Sequence, residues 1–134
     1  MTILVVDLQP HLEPATVGAK AANLGKAIAH EIRVPLGFVV SRNTLSLFLQ
    51  HTGLKMLVEG FVSQCVLAEN MDHAAEFDAL CRQVLAAPIP DPITVAVAEM
   101  AKPLLAKAPA GVAVRSSGIH EDSATASFAG IYES

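Results

Sequence analysis

Apolar positions recur along this chain with two periods, and each change of period marks an element boundary. Ile3-Leu-Val-Val6 is a short unbroken apolar run of strand type, followed by a polar turn region from Asp7 to Pro14. Ala21, Leu24, Ala27 and Ile28 then fall at helical spacing, which predicts a helix from about Val17 to Glu31 with Thr16 as its cap. Val34-Pro-Leu-Gly37 interrupts it, and Phe38-Val-Val40 predicts a second strand. Ser41 is placed to cap a helix running to about Thr52, with Gly53 as its stop signal.

Helical spacing returns with Leu57, Val58, Phe61, Val62 and Val66, predicting a helix from Leu54 to Glu69. Asp72 opens another, whose apolar positions are Ala75, Phe77, Leu80, Cys81, Val84 and Leu85. Pro88-Ile-Pro-Asp-Pro92 is an interruption too short to separate two domains. A last helix covers about Ile93 to Lys107, kinked or shortened at Pro103. Gly111-Val-Ala-Val114 reads as a buried strand, and a second strand or hairpin arm falls near Phe128 to Glu133. The pattern predicts a helix-rich α/β fold whose few strands carry the special residues at their ends.

Composition sharpens this picture. The chain has 134 residues, of which 52% are hydrophobic and 16% charged, so it holds enough apolar material for a core. Its mean hydropathy of +0.46 is high for a soluble domain. No uninterrupted apolar stretch approaches the roughly 20 residues of a membrane span. The expectation is therefore an apolar surface covered by further protein, not a membrane. A strand-like segment stopping directly at Ser134 carries the same expectation of completion by another segment. The net charge of −4 and the lack of any basic run argue against nucleic acid as a partner. The start has no basic n-region, so a signal peptide is not indicated. Cys65 and Cys81 fit no metal spacing and read as buried thiols in a reducing compartment.

Two segments carry candidate chemistry. In the first, Arg115 follows the apolar run 111–114 and precedes Ser116, Ser117 and Gly118. One planar guanidinium beside hydroxyls and flexible amides suits a polyphosphate. Spacing alone leaves a second reading open, in which Arg115 forms a structural ion pair with Glu121 or Asp122. The other segment is Val17-Gly-Ala-Lys-Ala-Ala-Asn-Leu-Gly25, where Gly18 and Lys20 open a helix whose amides and dipole favour an anion. It lacks the spacing of a Walker A loop, and a solvated surface lysine is the plainer alternative. His120 has no partner at a persuasive spacing, and no residue is singled out as catalytic or as a metal ligand. His11, His30, His51 and His73 are scattered, and Met56, Met71 and Met100 read as core filler.

Three ordered blocks add a resemblance. They are Val17 to Gly25, then Val34-Pro-Leu-Gly-Phe-Val-Val-Ser41, then Val114-Arg-Ser-Ser117 with Glu121-Asp122 and Ser127-Phe-Ala-Gly130. Together they resemble the N-terminal nucleotide-binding domain of the phosphoenolpyruvate synthase and pyruvate phosphate dikinase family, closer to the synthase and rifampicin phosphotransferase branch. The resemblance implies that residues 1–134 form a single partial domain, the N-terminal portion of an ATP-grasp-type nucleotide-binding domain, in a cytoplasmic phosphotransferase. It implies ATP as ligand, with Lys20 and Arg115 on the phosphates and Gly130 and Ser134 as further nucleotide contacts. Mg²⁺ and the remaining ATP-grasp segment would complete the site. A phosphohistidine domain, in cis or in trans, would receive the phosphoryl group and pass it to an acceptor such as pyruvate. The isolated chain is expected to bind ATP weakly and not to turn over. The alternative, from a different class, is a non-catalytic half-domain serving as a binding or regulatory module. Three positions depart from the family pattern: Ala19 stands for a glycine, Leu36 for a proline, and Gly118 for an alanine. Ala19 is tolerable provided its φ is negative, Leu36 reads as a packing change, and none of the three removes a charge.

Overall fold

The computed structural model describes residues 3–68, 72–108 and 110–118. Their order is β1 (Val5–Asp7), α1 (Pro14–Val17), α2 (Ala19–Ala29), β2 (Phe38–Val40), α3 (Arg42–His51), α4 (Lys55–Leu67), α5 (Ala74–Ala86) and α6 (Asp91–Lys107). Among the described residues helices outweigh one two-stranded sheet, an arrangement compatible with an α/β class. The described residues group into two units. One holds those up to Thr44 with those from Pro92 onward, and the other is Leu45–Asp91.

In the first unit β1 and β2 pair antiparallel, with Val5 opposite Val40 and Asp7 opposite Phe38. Polar side chains anchor the start of α3 to the chain entering β1. The Ser41 hydroxyl donates to the Ile3 carbonyl at 2.6 Å and the Thr44 hydroxyl to the Leu4 carbonyl at 2.6 Å. Both residues are buried, so these bonds satisfy groups that water cannot reach. Ser41, expected as a helix cap, thus spends its hydroxyl proton on strand docking.

The helix expected from Val17 to Glu31 is α2, within two residues at each end, and a short unexpected helix, α1, precedes it. Pro14 opens α1, and Gly18 ends it with φ 82° and ψ 165°, a conformation that essentially only glycine adopts. Helix α2 then starts at Ala19, so Thr16 lies inside α1 and caps nothing. At its other end α2 closes in a Schellman motif. Glu31 turns left-handed at φ 58°, while the Ile32 and Glu31 amides donate to the carbonyls of Ala27 and Ile28.

The buried stripe of α2 is Ala21, Ala22 and Gly25, whereas Leu24, expected on that face, is exposed. Small residues win because the backbone approaches closely. A Cβ on Gly25 would stand 2.7 Å from the Gln9 carbonyl oxygen. Val17, Ala21 and Ala22 form the core cluster, with Leu12 and Val39 packed against it.

Unit Leu45–Asp91 contains the hairpin of α4 and α5. Asp72, expected to start this helix, lies one residue before its N-cap His73 and accepts the Ala74 amide proton at 2.9 Å. Phe61 packs on Phe77 and meets the His73 ring edge-on. Val58, Leu80 and Val84 of the expected apolar face are half-buried, and much of the rest is open. Leu57, Val62, Val66 and Phe77 are exposed, and Met56, expected as core filler, is 79% exposed. Cys65 and Cys81 are free and half-buried, not fully buried as expected. Helix α6 starts at Asp91, two residues earlier than predicted, and runs through Pro103 to Lys107 without being cut short. No single helix among the described residues is long and apolar enough to cross a membrane.

Candidate phosphate-binding junction

The expected strand at 111–114 is a correction. Residues 111–118 adopt no regular structure, and Val114 is 78% exposed. A strand needs a partner backbone for its amides and carbonyls, and among the described residues the sheet contains only β1 and β2.

The segment is instead held at its far end by α2. The Ala19 amide donates to the Gly118 carbonyl at 3.0 Å, and the Ala21 amide donates to the Ser117 hydroxyl at 3.1 Å. The first turn of any α-helix has amides with no partner inside the helix. Here a serine distant in sequence takes one of them, as a local cap would. The anion expected at these amides therefore meets a changed picture: two of the donors already serve protein acceptors.

Gly18 makes the approach possible. A Cβ there would overlap the Ser117 carbonyl, and the positive φ excludes other residues independently. Ala19 is helical with negative φ, so alanine is accommodated where the family pattern has glycine. Leu36 is exposed at 68% and fills no core space, so the packing change expected there is absent.

These bonds bring the segments that carry the two candidate cations to one junction. Lys20 sits between the two donor residues in the first turn of α2 and is half-buried. Arg115 is exposed, two residues before Ser117. The 3.1 Å bond plus ordinary bond lengths limits the separation of the Lys20 and Arg115 Cα atoms to about 15 Å. Side chains of that length can span a triphosphate from two such points. Gly130 and Ser134, like His120, Glu121, Asp122 and the 127–130 block, lie outside the described residues, as does the strand expected near 128–133. Among the described residues no group of three His, Cys, Asp or Glu side chains is placed to hold a metal ion.

A recess of about 330 Å³ between α4 and α5 is lined by Met56, Phe61, Leu80 and their neighbours. Its rim carries Glu76 and no lysine or arginine, which does not suit an anion. The sequence points to Lys20, Arg115 and the hydroxyls after it, but not to the bond of Ser117 with α2 or to the close approach at Gly18. The available signal was Pro14 followed by Gly18, a helix start and a helix stop within five residues.

Comparison with known proteins bears on this junction, since both of its segments fall within the matched region. Residues 14–134 match the family model described as the pyruvate phosphate dikinase AMP/ATP-binding domain. The phosphoenolpyruvate synthase of Aeropyrum pernix is 31% identical over 121 residues, covering 87% of this chain and 15% of that protein. The phosphoenolpyruvate synthase of Neisseria meningitidis serogroup B is 30% identical over 124 residues, covering 87% and 16%. The probable phosphoenolpyruvate synthase of Methanothermobacter thermautotrophicus is 31% identical over 116 residues, covering 84% and 17%. The alignments thus span only 15–17% of the length of these relatives. With nearly the whole chain matched, it belongs to the family of the pyruvate phosphate dikinase AMP/ATP-binding domain.

Proposed function

We propose that this chain supplies one wall of an ATP site, of ATP-grasp type, in a cytoplasmic phosphoenolpyruvate synthase-like phosphotransferase. Lys20 and Arg115 grip the phosphates, and Gly130 and Ser134 add nucleotide contacts. Mg²⁺, held with the remainder of the nucleotide-binding domain, neutralises charge that develops as the phosphoryl group leaves. The acceptor is a histidine on a swivelling domain, which passes the group to a second acceptor such as pyruvate. The observation supporting this reading is the pair of hydrogen bonds that joins the Lys20 turn to the Arg115 segment. Family membership supports the nucleotide.

Lys20 contributes a point charge and Arg115 a planar fork, and the two are not interchangeable on a phosphate. Positioned cations act here by orientation and electrostatics, with no covalent step of their own. The test is a titration of the 134-residue chain with magnesium ATP, followed by amide chemical shifts. Weak binding with shifts at residues 18–21 and 115–118 is expected, and Lys20→Ala or Arg115→Ala should each weaken it at least about fivefold, the loss of one charge-assisted contact. Shifts confined to other regions, or binding indifferent to both substitutions, would refute the assignment.

A further inference from the structure

We infer that Ser117 is a positioning residue: by capping α2 from across the chain, its hydroxyl sets where Arg115 stands relative to Lys20. This rests on the phosphate-binding reading above and adds the element that registers its two cations.

Arg115 itself is exposed and lies in a segment without regular structure. A guanidinium on such a segment is imprecise unless the backbone is tied down nearby, because each free residue adds two soft dihedrals. Ser117 supplies the tie two residues away. One hydrogen bond would leave the segment free to rotate about it. At least two hold it, from the Ala21 amide to the Ser117 hydroxyl and from the Ala19 amide to the Gly118 carbonyl. The donors flank Lys20 in sequence, so the segment is fixed to the same turn that carries the other cation. Gly18 forms the floor, since no side chain fits between it and Ser117.

The carbonyl contact of Gly118 is available to any residue type. The Ser117 contact needs a side-chain acceptor at that position. Ser117→Ala therefore removes the side-chain tie and leaves the Gly118 carbonyl contact in place. A lost N-cap acceptor corresponds to roughly a fivefold change in the docked population.

The test compares the wild-type chain, Ser117→Ala and Thr44→Val. The last removes a different hydroxyl bond, Thr44 to the Leu4 carbonyl, and serves as a control for general destabilisation. Two quantities are measured by NMR: hydrogen exchange of the Ala21 amide, and the dissociation constant for magnesium ATP. Ser117→Ala should speed Ala21 exchange about fivefold and weaken magnesium ATP about fivefold, whereas Thr44→Val should change neither while lowering the melting temperature. Faster Ala21 exchange with unchanged ATP affinity would overturn the positioning role and leave the nucleotide reading intact. Equal weakening by Thr44→Val would also overturn it, by reducing the effect to loss of fold stability. Absence of binding by the wild-type chain would remove the nucleotide reading, and this inference with it.

Discussion

Replacing Gly18 by alanine probes the junction most directly. At φ 82° and ψ 165° the backbone occupies a region where a side chain costs about 1–3 kcal/mol. The added Cβ also collides with the Ser117 carbonyl, so the 117–118 segment must leave α2. Undocking forfeits the bonds from Ala19 and Ala21, each contributing about 1 kcal/mol net. The sum is about 3–5 kcal/mol, a large share of the 5–15 kcal/mol typical of a folded domain. Gly111→Ala is the matched control within the same unit. Gly111 has φ 103°, but nothing lies near its Cβ position, so only the backbone term applies. Urea unfolding followed by circular dichroism gives the two stability losses, and amide exchange at Ala19 and Ala21 reports the docking itself. A Gly18→Ala loss no larger than that of Gly111→Ala, with protection at both amides retained, would refute the close approach described above.

Two further substitutions test local packing, one in each unit. Gly25→Ala brings a Cβ to 2.7 Å from the Gln9 carbonyl oxygen, and overpacking of this kind should cost about 1–3 kcal/mol in urea unfolding. Asp72→Ala removes the acceptor for the Ala74 amide and should destabilise α5 by about 1 kcal/mol, seen as faster exchange in its first turn.

Much of the architecture was legible in the order of residues. Both strands, β1 and β2, and the helices α2 to α6 appear within two residues of their expected ends, because apolar spacing, Pro and Gly act locally. Asp72 is found at the helix start where it was expected, for the same reason. The buried faces were harder to see. Large apolar residues such as Met56, Val62 and Val66 stand exposed, while Ala21, Ala22 and Gly25 are buried. Burial depends on which neighbour arrives, and a small side chain admits a backbone that leucine would hold off.

By itself the amino-acid order determined where helices and strands can form, and which side chains are able to grip a phosphate. Tertiary structure alone decided that a distant carbonyl packs against Gly18, and that 111–114 is not a strand. It also decided that Ser117 caps a helix whose first turn carries Lys20. Each of these depends on which groups arrive from a distant part of the chain: the Ser117 carbonyl comes against Gly18 and the Ser117 hydroxyl to the Ala21 amide, whereas among the described residues no strand pairs with 111–114. Local spacing carries no information about such arrivals, because they follow from how the whole chain closes on itself.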